Sequence, residues 1–517
     1  MLTDKAAIAA NRFGLGARPR DVAPIGRDPV PWLEAQLAAP AAASPAQRAS
    51  AAVLAEARDL QLVRQAMQRR AAQARGSQEQ PRQQQRARRP QAERQAAAAR
   101  GERNAAATPA VDAEAVRDFA AFMREQYAAQ AAERYRRAIE TDAPFVERLV
   151  HFWSNHFAVS ADKQPLGAIA GHYENEAIRP HVTGNFRDLL LAVERHPAML
   201  LYLDNAASMG DASAVARLAT RRGRELGLNE NLAREILELH TLGVQGGYGQ
   251  DDVRELAKVL TGWSIGGALE RGGGTLGGMN GERLAALLGM APGQEAAGEF
   301  VFRTAMHEPG TKRVLGKAYR EDGAAEGERV LADLALHPAT ARHLATKLAR
   351  HFVADKPPAV LVERLAAVYL DNDGELTPVY RALIEAPESF AWAFAKLKTP
   401  HDLVISAYRA LGGRAPQRLE PVIAALDQLG QRPFTPGSPA GWSDTAAHWE
   451  NGDALLKRIE WAAQLGQTAG DRVDPVVLGD AVLGPILDAH TAASIRRAES
   501  RAQGLGLLFA AAEFQRR

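Results

Sequence analysis

The chain has 517 residues, 46% of them hydrophobic and 24% charged, with a formal net charge of +2 and no cysteine. Such a composition supports a large globular core, and a charge this close to neutral argues against a surface dedicated to nucleic acid. The lack of cysteine excludes disulfides, thiolate nucleophiles, zinc-thiolate sites and iron–sulfur clusters, so any metal would be held by His and carboxylates.

The opening stretch MLTDKAAIAANRFGLGARPRD puts Asp4 and Lys5 ahead of a short alanine-rich run and lacks the pattern of a secretory signal. The expectation is a soluble chain that stays in the cytoplasm, with no transmembrane segment, because apolar runs such as Ala198 to Leu203 fall far short of the roughly 20 residues a span needs. Residues 67–108 are rich in Gln, Arg and Ala and lack large apolar side chains. The expectation is a disordered or solvated helical insertion, since such a composition cannot build a core. Seven arginines (Arg69, Arg70, Arg75, Arg82, Arg86, Arg88, Arg89) would suit RNA, anionic lipid or an acidic partner, but no aromatics are interleaved for base stacking, so specific nucleic-acid binding is not expected.

Further on, helices dominate. GNFRDLLLAVERH carries an Asn185 cap and Phe186, Leu189, Leu190 and Val193 at helical spacing, and Pro197 opens the next helix. LNENLAREILELHTLG predicts a helix capped by Asn229, buried along Leu232, Ile236 and Leu239, and closed by Gly243 in a left-handed conformation. DDVRELAKVLTGW places Val253, Leu256, Ala257 and Leu260 on one stripe. Residues 264–298 are a glycine-rich excursion, and residues 299–319 predict a β-hairpin of two strands around a turn at Pro309 and Gly310. Two more helices follow, in TARHLATKLARHFVAD and PPAVLVERLAAVYLDNDG. Residues 430–453 are dense in Pro and Gly yet hold Phe434, Trp442 and Trp449, which predicts an ordered loop packed onto the body.

The succession RFGLGARP, FWSNHFAVS, IRPHVTGNFRDLL, HPAMLLYLDN, NENLAREILELHTLGVQGGY, DVRELAKVLTGW, HEPGTKRVLG, SPAGWSD and EFQRR resembles the bacterial family catalogued as domain of unknown function 1800. The resemblance covers almost the whole chain. It implies a helical, uncharacterised protein, often exported and encoded beside a sulfatase-like protein, so that a periplasmic location and a sulfatase-like partner are what it suggests. This chain departs from the family in having no evident signal, and in placing Gly249 where a threonine cap is common, which leaves only the acidic first turn of Asp251 and Asp252.

Candidate chemistry centres on FWSNHF and the NENLAREILELH helix. His156, flanked by Trp153 and Phe157, would be a general base or ligand, or else a satisfied core residue. Glu230, Arg234 and Glu238, four residues apart, would form an exposed ion-pair ladder or, with Asn231 and Glu235, offer carboxylates and amides to a ligand. In the catalytic reading His156 is base or ligand, Glu230 and Glu238 acid or ligand, and Arg234 the holder of an anionic group. Asn155, His307 and Asn451 are candidate binding residues, and Trp153, Trp263, Trp442 and Trp449 would stack on a ligand or cap the helical core. H-E-x-x-H, P-loop and G-x-S-x-G patterns are absent, and GLGARP follows no strand.

The resulting expectation is an all-α, multi-helical single globular domain over residues 1–517 with one small β-hairpin. Two functions remain: a hydrolase or other acid/base enzyme on a polar substrate, and a non-catalytic accessory protein for a sulfatase-like partner. Neither a metal nor a cofactor is specified by the residues.

Overall fold

The computed structural model describes residues 3–38, 49–65, 67, 110–221, 227–267, 297–391 and 394–517. Apart from their edges, the 67–108 segment and the glycine-rich 264–298 excursion lie outside these residues. The described chain is mostly helical, and none of its helices is long and apolar enough to cross a membrane.

Local sequence signals set most helix boundaries. Asn185 accepts from the Arg187 N–H (2.9 Å) to start Phe186–Arg195, which buries Phe186, Leu189, Leu190 and Val193. His196 and His337 take the capping role before Pro197 and Pro338, each ring accepting from a backbone N–H at 3.1 Å. Gly249 offers no side chain, but Asp252 accepts from its N–H at 2.9 Å, so half of the capping box survives ahead of Gln250–Leu260.

The Pro144–His156 helix is buried around nearly its whole circumference, polar Glu147, Arg148 and His156 included, and Phe145, Leu149, Val150, Phe152 and Trp153 are all enclosed. A helix of that kind must lie inside the body. Trp153 therefore sits within a helix rather than at a loop edge, its indole donating to the Tyr380 hydroxyl at 2.7 Å.

Two expectations are corrected. The residues 299–319 do not form one hairpin: Phe300–Phe302 pairs antiparallel with Trp263–Ile265, and Lys312–Val314 pairs with Lys317–Tyr319, giving two two-stranded sheets. The tight turn falls at Leu315 and Gly316, both with positive φ, rather than at Pro309 and Gly310. Asn231–Glu235 also passes into a π-turn at Ile236–His240, which inserts a residue and rotates the face. Leu239 consequently leaves the buried stripe, and His240 enters it. Gly243 is left-handed as expected, at φ 80°.

The apolar side chains form two adjoining cores. One gathers Trp153, Phe157, Leu189, Leu256, Leu344 and Tyr380. The other gathers Tyr135, Leu403, Leu426, Trp461, Leu505 and Phe509. Pro144–His156 belongs to the first and Pro400–Ala410 to the second, so polar side chains on these two helices face each other across the seam.

Candidate functional site

A cavity of about 80 Å³ lies in that seam. Pro144–His156 contributes Arg148, His151, Ser154 and Asn155; Pro338–Phe352 contributes His351; Pro400–Ala410 contributes His401 and Asp402. The 430–453 loop closes it with Gln431, Phe434, Trp442, Ser443 and Asp444. Space of this size holds a few waters or a small polar group.

The loop is tightly held. Asn155 donates to the Trp442 carbonyl (2.9 Å) and accepts from the Trp442 N–H (2.7 Å). Gly441, at φ 79°, lies so close to this pair that a Cβ would come within 2.3 Å of the Asn155 carbonyl. Asp355 accepts from the Ala446 N–H (2.8 Å) and from Lys396 Nζ (2.7 Å), and Lys396 also donates to the Asp444 carbonyl. The Trp449 indole donates to the Ser443 carbonyl at 2.8 Å and packs 5.9 Å from the Trp442 ring.

Two carboxylates organise the charge. Asp402 lies 3.0 Å from Arg148 Nη1 and 3.0 Å from Arg517 Nε. Burial alone would raise its pKa, but the two guanidiniums outweigh burial and hold it well below the usual carboxylate range. Asp444 accepts from His351 Nδ1 at 2.9 Å. Burial opposes its ionisation too, and His351 and Lys396 overcome that, so Asp444 is likewise ionised.

An ionised carboxylate only accepts, so His351 carries its proton on Nδ1 and presents Nε2 as an acceptor. That Nε2 is buried and has no hydrogen-bond partner among the described residues. Burial depresses the His351 pKa, with Asp444 resisting, and depresses those of His151 and His401 well below the ordinary imidazole value. His401 is held by the Tyr135 hydroxyl and stays neutral, whereas His151 Nε2 makes no hydrogen bond to a described residue and lies 3.7 Å from Glu147. Arg134 lies 3.2 Å from Glu174, which also accepts from Ser154 at 2.7 Å, and its Nε is buried without a partner. Among the described residues no three His, Asp or Glu converge in a way that would hold a metal ion.

A family model described as protein of unknown function (DUF1800) matches residues 8–516. The chain belongs to that family. No curated protein and no solved structure matches this DUF1800 chain.

Of the residues singled out in the sequence, the structure brings Asn155 and Trp442 together at the cavity. The others lie elsewhere. His156 is enclosed against Trp153 and Phe157, with Nε2 donating to the His240 carbonyl at 3.1 Å. Glu230, Arg234 and Gln250 form a partly exposed ladder, with Arg234 3.0 Å and Gln250 2.7 Å from Glu230; Glu238 is half-buried one turn on, and Asn231 is exposed. Trp263 is fully buried in the first core, and His307 is enclosed with Glu326 (3.1 Å) and Lys312 (3.0 Å). Trp449 is buried behind Trp442, and Asn451 is an exposed cap that accepts from the Ala454 N–H at 3.0 Å.

Sequence reasoning passed over His151, His351, His401 and Asp402. His401 and Asp402 had one available signal: a polar pair in the first turn after Thr399 and Pro400, followed directly by the apolar run LVIS. Asp444 stood in SPAGWSD, but its partner His351, 93 residues earlier, had nothing local to mark it.

Proposed function

We propose that this protein is an acid/base enzyme acting on a polar substrate at the seam cavity, with His351 as the proton acceptor and Asp444 as the group that fixes its tautomer and orientation. The observation that carries this reading is the enclosed, unpartnered His351 Nε2 on a ring whose other nitrogen is held by an ionised carboxylate. A base needs both a free lone pair and an orienting partner. Arg134 Nε and His151 Nε2, also buried and unpartnered at the cavity wall, supply further polar contacts for a substrate group. The low basicity that burial gives His351 keeps it unprotonated at neutral pH, as a base requires.

The test is a turnover screen of purified protein on chromogenic esters, amides, glycosides and phosphate esters, with His351→Gln as the matched comparison. The expected result is turnover that drops by about 10²–10⁴-fold in the variant while the melting temperature stays within a few degrees. Turnover equal in the two proteins, or no turnover of any class, would remove the proposal.

A second reading has its own support. Trp153, His156, Trp263 and His307 are enclosed among protein groups, and Arg148, Asp402 and Arg517 tie the two cores together at the seam. On that reading the chain is a non-catalytic accessory protein, with a sulfatase-like protein as the partner suggested by the family resemblance, and its polar residues fix one packing of the helices. It expects His351→Gln and Asp402→Asn to lower stability without changing any turnover.

A further inference from the structure

Outside the seam, on the far side of the Trp442 segment, a wider basin of about 930 Å³ opens between Pro338–Phe352 and the 437–448 loop. Asn155, Trp442, Ser443 and Asp444 line both spaces, so one thin partition separates basin and cavity. The helix turns Arg342, His343, Lys347 and Arg350 toward the basin, since positions four and eight apart share a helical face. His448 joins them from the loop.

The positive charge here is only partly compensated. Asp444 is the sole acid in the lining, and its carboxylate is engaged by His351. Arg342 is paired with Glu363 at 2.6 Å and His343 with the Leu239 carbonyl at 3.0 Å. Lys347 and Arg350 have neither an ion pair nor a hydrogen bond with any described residue, although both are half-buried. Half-burying two neighbouring cations with only one acid in the lining is unfavourable unless something else supplies more negative charge.

Opposite them the wall is of another kind. Trp442 is partly exposed, and Leu239, Leu242 and Val244 give an apolar rim on which Val244 is 73% exposed. Leu239 stands there because the π-turn rotated it off the buried stripe.

We propose that this basin binds the oxyanion of the substrate, a phosphate, sulfate or carboxylate group, between Lys347 and Arg350, with the organic body of the molecule lying against Trp442 and Val244. The proposal names the substrate class of the neighbouring site and rests on the enzymatic reading given above. Burial and Arg350 lower the Lys347 pKa to about 8 against the pull of Asp444, so the ammonium is still charged at neutral pH. Two cations on one helix face and an aromatic wall make a pocket with a few convergent polar groups, the usual form of a small-molecule site.

The experiment is calorimetric titration of the full chain with inorganic phosphate, inorganic sulfate, acetate and phenyl phosphate, repeated on Lys347→Gln/Arg350→Gln, on Lys5→Gln and on His351→Gln. At least one anion should bind the parent, and which one tells the three groups apart. Phenyl phosphate should bind more tightly than inorganic phosphate if the apolar wall takes the organic part. The double variant should weaken binding by about tenfold or more, while Lys5→Gln, which removes an exposed cation paired with Asp28 outside the basin lining, binds like the parent. Absence of binding by all four probes, or equal binding by parent and double variant, overturns the inference. Lys347→Arg, which keeps the charge, should restore most of the affinity and so separates loss of the site from loss of folding. Anion binding that survives in a His351→Gln protein with unaltered turnover would leave the basin standing and count against the catalytic reading alone.

Discussion

Two of the molecule's histidine–carboxylate pairs stand in contrasting settings. At the seam, His351 and Asp444 meet at 2.9 Å beside a cavity. In the small β region, His307, Lys312 and Glu326 meet at 3.0–3.1 Å. There His307 Nδ1 is also engaged, at 2.8 Å from the Thr261 carbonyl, and the Lys312 ammonium neutralises the carboxylate. The β-region imidazole therefore has both nitrogens used, and the seam imidazole keeps one. Chemistry needs an uncommitted atom next to space, and only the seam has both.

That contrast is sharpened by removing one member from each. Glu326→Gln leaves the fully enclosed Lys312 ammonium uncompensated, and should cost about 3–5 kcal/mol in urea unfolding. A loss under ~1 kcal/mol would show that the triad is not the closed ionic unit described. Asp402→Asn strands Arg148 and Arg517 in the same way, but at a cavity where water can approach, so the expected loss is smaller, about 2–3 kcal/mol. If it exceeds that of Glu326→Gln, the cavity gives no relief and the contrast fails.

The seam should also dominate the acid response. His151, His351 and His401 are neutral in the folded state, with pKa values below the ordinary 6.5, so the unfolded chain takes up more protons as pH falls below that value. Stability is unaffected above pH 6.5 and declines beneath it, at up to about 1.4 kcal/mol per pH unit for each fully shifted ring. Asp402 and Asp444 act in a lower window: their stabilisation is complete above the ordinary 3.8 and is lost as pH falls through their depressed folded values. A melting temperature that stays level from pH 7 to pH 5 would contradict the buried, neutral imidazoles. Below pH 3.8, Asp402→Asn should show a shallower decline than the parent.

The smallest effect belongs to the exposed ladder. Glu230→Ala removes contacts to Arg234 and Gln250 that are open to solvent, and should change stability by no more than about 0.5 kcal/mol.

How far the sequence reached differs along the chain. The Asn185 cap, the Pro197 start and the stripe of Val253, Leu256, Ala257 and Leu260 depend on neighbours within a few residues, and the helices there agree with the pattern. The 299–319 strands were visible as β-formers but not their pairing, because Phe300–Phe302 chose a strand 35 residues earlier, beyond the glycine-rich excursion. The π-turn at Ile236–His240 was invisible for a similar reason: a helical stripe read at a 3.6 period assigns Leu239 inward, and the rotation that reverses it is set by what packs around the turn.

For the site, the residues of FWSNHF and the Trp442 loop were legible as polar groups beside buried-type aromatics, and Asn155 and Trp442 do meet. The rest were not legible as a site: His351 looks ordinary in its own stretch, and the local signals at His401, Asp402 and Asp444 say nothing of which segment they would face.

By itself the sequence determined the fold class and most helix boundaries, because capping, proline placement and apolar spacing are local quantities. Tertiary structure alone decided which imidazole keeps a lone pair beside open space and which cations go without an ion pair, because exposure and pairing arise between segments whose positions in the chain say nothing about their distance in space.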